Sequence, residues 1–135
     1  MASDQRPGLN PGQKAQLDHV VTRADLAGSV QPGSVAVLST PAMIALMERA
    51  ALEAAQPHLL PGETTVGVRL EVDHLDACLL GTGVVAEAEL LRVEGRRLRF
   101  AVAVKAGERL LGQGFHDRAV IDEAKFLARL KERLG

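Results

Sequence analysis

From Thr64 onward the chain alternates between apolar and polar positions. In "TTVGVRLEVDH" (64–74), Val66, Val68, Leu70 and Val72 take every second place, with Arg69, Glu71 and Asp73 between them. That two-residue period predicts a strand with one buried and one wet face. "GVVAEAELLRV" (83–93) and "RRLRFAVAVK" (96–105) repeat it, and Leu98, Phe100, Val102 and Val104 form the inner row of the second. Glu94-Gly95 between them reads as a two-residue hairpin link with positive φ at the glycine. "ERLLGQGFHDRAVI" (108–121) is a further strand, reached through Ala106-Gly107. Its Gly112 and Gly114 mark a place where something approaches the backbone closely. Upstream, "KAQLDHVVT" (14–22) reads as a first strand.

Elsewhere the period is helical. In "STPAMIALMERAALEAAQPH" (39–58), Pro41 suits the first turn and Gln56-Pro57 ends the run, so a helix is expected over about residues 41–55. "DEAKFLARLKERLG" closes the chain as a short amphipathic helix with Phe126, Leu127, Leu130 and Leu134 on its apolar side. Residues 1–13 carry two Pro-Gly breaks and read as a flexible tail, leaving 14–135 as one domain. The order is strand, long helix, four strands, short helix. One apolar helix beside antiparallel strands calls for a sheet wrapped round it, an α+β fold of the hot-dog type.

Composition narrows the function classes. The chain has 135 residues and is 47% hydrophobic, enough for a real core. Its net charge is −1 and its only aromatics are three Phe, so neither a basic footprint nor a base-stacking platform for nucleic acid is expected. No segment approaches a membrane span and no signal core opens the chain, so a soluble cytoplasmic protein is expected. The lone Cys78 excludes an internal disulfide, has no partner cysteine for a metal, and reads as a small buried residue.

Two residues break the pattern. At about 100° per residue, Arg49 and Glu53 share one edge of the long helix, while Glu48 falls among Ile44, Ala51, Leu52 and Ala55. A lone carboxylate on an apolar face is costly unless it is solvated or partnered. His74 ends the strand whose apolar row is Val66, Val68, Leu70 and Val72. A carboxylate beside an imidazole can act as a base or nucleophile with its orienting partner. His19 and His58 lack this setting, and His116 is expected on a strand surface. Ser39 and Thr40 stand where the helix needs a cap, and a helix start can also hold a carbonyl oxygen or anion. Thr40 and Glu48 lie about 12 Å apart along the axis, so one small group cannot touch both unless something folds back; a two-fold dimer, with the helix start or His74 of one chain meeting Glu48 of the other, could solve this.

"STPAMIALMERAA", "VGVRLEVDHLDA", "LRVEGRRLRFAVAV" and "GQGFHDRAVIDEAKF" together resemble hot-dog thioesterases of the fluoroacetyl-CoA thioesterase-like group, from about Val37 to Phe126. The resemblance implies a homodimer or higher homo-oligomer, an acyl-CoA substrate, and neither metal nor other cofactor. It implies a catalytic set of Thr40, Glu48 and His74, with Gly67 and Arg118 near the acyl group. The fluoroacetyl-specific enzyme carries aromatics ahead of the helix, whereas "RADLAGSVQPGSVAVLS" has none, so only the reaction class carries over. No D-x4-H pair opens the helix, which counts against a hydratase. Beside the thioesterase stand two other readings: an acyl-CoA-binding dimer without catalysis, and a structural dimer in which Glu48 and His74 simply pair.

Overall fold

Each stretch with a two-residue period forms a strand in the computed structural model, which describes residues 6–30 and 34–134. They are β1 (Lys14–Val20), β2 (Glu63–His74), β3 (Gly83–Glu94), β4 (Arg97–Ala106) and β5 (Arg109–Asp122). Every neighbouring pair is antiparallel, and the order across the sheet is β1-β3-β4-β5-β2. A one-turn helix α1 (Ala27–Val30) precedes the long α2 (Thr40–Ala55), and α3 (Glu123–Leu134) ends the chain. This is the α+β hot-dog arrangement expected from the element order. The hairpin links sit one residue later than expected, at Gly95-Arg96 and Gly107-Glu108, with φ of +60° at both glycines.

α2 buries Met43, Leu46, Met47, Ala50, Ala51, Ala54 and Ala55. Its alanines let the helix approach the sheet closely. Opposite them lie Val84, Ala86, Ala88 and Leu90 of β3 and the expected row Leu98, Phe100, Val102 and Val104 of β4, all buried. Burial of each large side chain is worth about 1.5–3 kcal/mol. α2 rests chiefly on β3, flanked by β1 and β4, and meets β2 and β5 much less. The inner face of the β2 end of the sheet is therefore only partly roofed. The close approach expected at Gly112 and Gly114 is present: a Cβ on Gly112 would collide with the Met43 side chain, and one on Gly114 with the Glu71 carbonyl.

β2 departs from its simple alternation. Its register against β5 slips between Gly67 and Arg69, which makes Val68 an extra, bulged residue. Before the bulge Thr65 and Gly67 pair with Val120 and Arg118; after it Leu70, Val72 and His74 pair with His116, Gly114 and Gly112. The inner row is thus Thr65, Gly67, Leu70, Val72 and His74. Val66 and Val68 do not belong to it, contrary to the period, and Val68 is 46% exposed.

The segment 1–13, expected as a flexible tail, is anchored from Arg6 onward. Arg6 and Leu9 are buried, and the Gly12 N–H donates to the Leu90 carbonyl. Arg6 Nε donates to Glu63 Oε1 at 2.8 Å, at the foot of β2. That pairing spans 57 residues, so no local pattern announces it. Above all the Arg6 guanidinium, helped by the Leu60 N–H, holds the Glu63 carboxyl below the usual carboxylate range despite its burial. A depressed carboxyl stabilises the fold at neutral pH and loses that contribution as pH falls through its folded value. Arg6→Ala is expected to lower the unfolding free energy by about 1–3 kcal/mol at neutral pH. In urea titrations the gap to wild type should narrow as the pH is lowered to about 3; a gap of constant size would refute the bridge.

Candidate active site

The start of α2 divides its labour between two hydroxyls. Ser39 has an extended backbone and its Oγ accepts the Ala42 N–H at 3.1 Å, so Ser39 is the cap. Thr40 is released from capping, and its Oγ1 lies 2.7 Å from His74 Nδ1. The other imidazole nitrogen, His74 Nε2, is buried with no hydrogen-bond partner among the described residues. A buried nitrogen of this kind is normally paired, with protein or with water.

Two turns further along α2 is a second polar cluster. Glu48, its side chain 44% exposed, sits at the rim of the buried arc, with Oε2 3.8 Å from Arg118 Nη1. The Arg118 side chain is buried, and its Nε donates to Thr65 Oγ1 at 2.7 Å while Nη2 donates to the Thr65 carbonyl at 2.9 Å. Arg118 Nη1 also faces His116 Nε2 at 3.1 Å, and His116 Nδ1 faces the Arg69 carbonyl at 2.8 Å. Burial pushes the Arg118 pKa down and the nearby Glu48 carboxylate works against it. The guanidinium remains a cation at any working pH. Gly67 lies beneath: a Cβ there would stand 2.9 Å from Glu48 Oε2 and 3.3 Å from His116 Cε1.

The candidate residues therefore fall into two groups, Thr40 with His74, and Glu48 with Gly67 and Arg118. Within one chain no hydrogen bond or ion pair joins Glu48 to His74 among the described residues; the carboxylate's charged neighbour is Arg118. His116, expected on a strand surface, is instead 2% exposed. The signal was parity. In β5 the inner row is Gly112, Gly114, His116, Arg118 and Val120, and its glycines and charges disguise it. The remaining candidates stay apart: His19 Nε2 bonds Asp25 Oδ2 at 2.7 Å, and Cys78 is buried and free. Arg49 and Glu53 pair at 3.2 Å on the outer edge of α2.

A groove of about 830 Å³ lies on the other face of the sheet beside Glu71, Glu87, Arg99 and Phe115. It includes none of the five candidate residues. Among the described residues no group of three His, Cys, Asp or Glu is placed to hold a metal ion, and no helix is long and apolar enough to cross a membrane.

The fold is that of the hot-dog thioesterases. The model of the fluoroacetyl-CoA-specific thioesterase family matches residues 21–124, and the chain belongs to that family of thioester hydrolases. It is 35% identical over 134 residues to the fluoroacetyl-CoA thioesterase of Streptantibioticus cattleyicolor, covering 95% of this chain and 96% of that one. A solved structure of the fluoroacetyl-CoA thioesterase FlK, a point mutant in complex with acetyl-CoA, superposes with a TM-score of 0.87. It is 34% identical and covers 94% of this chain and 100% of its own. A thioesterase-superfamily member from Thermus thermophilus is 31% identical with a TM-score of 0.86, covering 96% and 98% of the two chains.

Gly67→Ala tests the packing of the second cluster. The added methyl meets movable side-chain ends, so the fold should survive with a melting temperature within about 5 °C of wild type. The Glu48 carboxylate must move, and kcat/KM for thioester hydrolysis is expected to fall at least ~10-fold. Wild-type turnover in a folded variant would show that the carboxylate has room to spare.

Proposed function

We propose that this protein is a cytoplasmic acyl-CoA thioesterase that hydrolyses a small acyl thioester as a homodimer, each site built from both chains. One observation carries the reading. The two polar clusters stand towards opposite ends of the inner face of β2, and β2 is an edge strand with one side unpaired. A long free edge invites pairing with another strand. A two-fold axis crossing β2 near Leu70 would pair it antiparallel with its copy and set the His74 end of one chain opposite the Gly67 region of the other. Thr40 and His74 of one subunit would then face Glu48 and Arg118 of its partner, and His74 Nε2 would gain the partner it lacks. The unroofed inner face beside Leu70 and Val72 would line the acyl site.

The chemistry follows from these groups. Glu48 attacks the thioester carbonyl or takes the proton from a water that does. The new C–O bond forces the carbonyl electrons onto oxygen, and hydrogen-bond donors around Gly67 stabilise that oxyanion, a contribution of about 3 kcal/mol for one good donor. When the carbonyl re-forms, the C–S bond breaks and His74, held by Thr40, supplies the proton to the departing thiolate. Arg118, 3.8 Å away, is the cation that faces the Glu48 carboxylate. Where Glu48 itself attacks, an acyl–Glu48 anhydride remains, and a water opens it to release the acyl carboxylate and return Glu48; where Glu48 activates the water, the proton it takes passes on to solvent. On either route the products are the carboxylate and free CoA. The segment ahead of α2 has no aromatic residue, which argues for a small acyl group other than fluoroacetyl. The single buried free cysteine suits a reducing compartment.

Against a panel of short acyl-CoA thioesters, Glu48→Gln and His74→Ala are each expected to lower kcat/KM at least ~100-fold, with the double variant little worse than the poorer single. Mixing the two single variants under subunit exchange should restore activity, because each heterodimer holds one intact site. No recovery, with exchange confirmed by mass, would mean that Glu48 and His74 meet within one chain. Binding of the panel without turnover by wild type would favour a non-catalytic acyl-CoA binder.

A further inference from the structure

His116 is buried on the inner face of β5, and neither half of the proposed catalytic set uses it. Its two contacts specify its protonation. Arg118 Nη1, 3.1 Å from Nε2, can only donate, so Nε2 must present a lone pair. The Arg69 carbonyl, 2.8 Å from Nδ1, can only accept, so Nδ1 must carry the hydrogen. Both partners thus select the same neutral tautomer. The carbonyl stands beside the Val68 bulge, and the guanidinium faces Glu48. A continuous chain therefore runs from the bulge through His116 and Arg118 to the carboxylate.

We propose that His116 is a positioning residue of the thioesterase site: its neutral imidazole holds Arg118 Nη1 in line with Glu48, and protonation of His116 releases that hold. This rests on the thioesterase reading above. Arg118 has two further bonds to Thr65, through Nε and Nη2. Those fix one side of the guanidinium, and His116 fixes the side that faces the carboxylate. Protonation would set N–H against N–H and charge against charge in a buried place. The charged groups acting on the ring are Arg118 on β5, Glu48 on α2 and the neighbouring Asp117. Burial is the largest influence and, with Arg118, lowers the His116 pKa below its ordinary value, against the opposing pull of the Arg69 carbonyl, Glu48 and Asp117. The neutral form is therefore the resting one at neutral pH, and the hold is lost only on the acid side.

The test compares three variants with wild type. His116→Leu removes the acceptor and is expected to lower kcat about 10- to 100-fold near pH 8, with KM changed less. His116→Gln restores an oxygen acceptor that does not titrate, and should recover most of that loss. In His116→Gln the acid limb of the kcat/KM profile should also lose one proton of steepness or move to lower pH. A merely structural role would move activity and melting temperature together and leave the profile alone. If His116→Leu does not fold, the profile of His116→Gln decides by itself. An acid limb in His116→Gln identical to wild type, or a His116→Leu variant with full turnover, overturns the proposal. Glu48→Gln is run in parallel: if it turns over normally, the thioesterase reading of Glu48 fails. If it is inactive while the His116→Gln profile is unchanged, only the role of His116 fails.

Discussion

The bulge at Val68 decides which residues of β2 meet the helix. A strand has two faces, and one inserted residue exchanges them. Without it, the row that ends in His74 would continue back through Val68 and Val66, an apolar stripe with nothing to hold Arg118. With it, Thr65 and Gly67 come round to the inner face. Thr65 then takes two of the Arg118 bonds, and Gly67 leaves the gap into which the Glu48 carboxylate fits. The buried guanidinium, the carboxylate beside it and the orientation of His116 all depend on that one displaced residue.

A second division of labour acts at the start of α2. Two adjacent hydroxyls compete for one structural task, and backbone geometry settles the matter. Ser39 lies just outside the helix, where its oxygen can reach the Ala42 N–H, whereas Thr40 is already in the first turn. The helix is thus capped without using the hydroxyl that meets His74. Exchanging the order of these residues would keep the composition and lose the arrangement.

Much of this was legible along the chain because strands and helices are written in local periods. The periods place the five strands, the long helix and the short C-terminal helix within a residue or two, and Glu48 and His74 stand out because each interrupts an apolar face. What escaped notice is either non-local or disguised. The Arg6–Glu63 bridge joins residues too far apart to share a pattern. The bulge is invisible because Val66 and the bulged Val68 both fit the alternation. His116 was misplaced because its row is built from Gly112, Gly114 and Arg118. An inner face that accommodates Met43, the β2 backbone and a guanidinium has no apolar signature to read.

The strand order also has a consequence for how the molecule is made. β2 is second along the chain, but its ladder partner is the last strand, β5. On the ribosome, β2 is complete at His74 while residues 75–108 are still to come. Through that interval α2 and the inner row of β2 have no finished sheet to close on, and long-range pairing of this kind is slow and exposed to aggregation. His74 and Glu48 both wait for β5, which pins β2 into the sheet and brings Arg118. A nascent chain that stalls before β5 therefore holds neither polar cluster, and an apolar helix with its sheet still open.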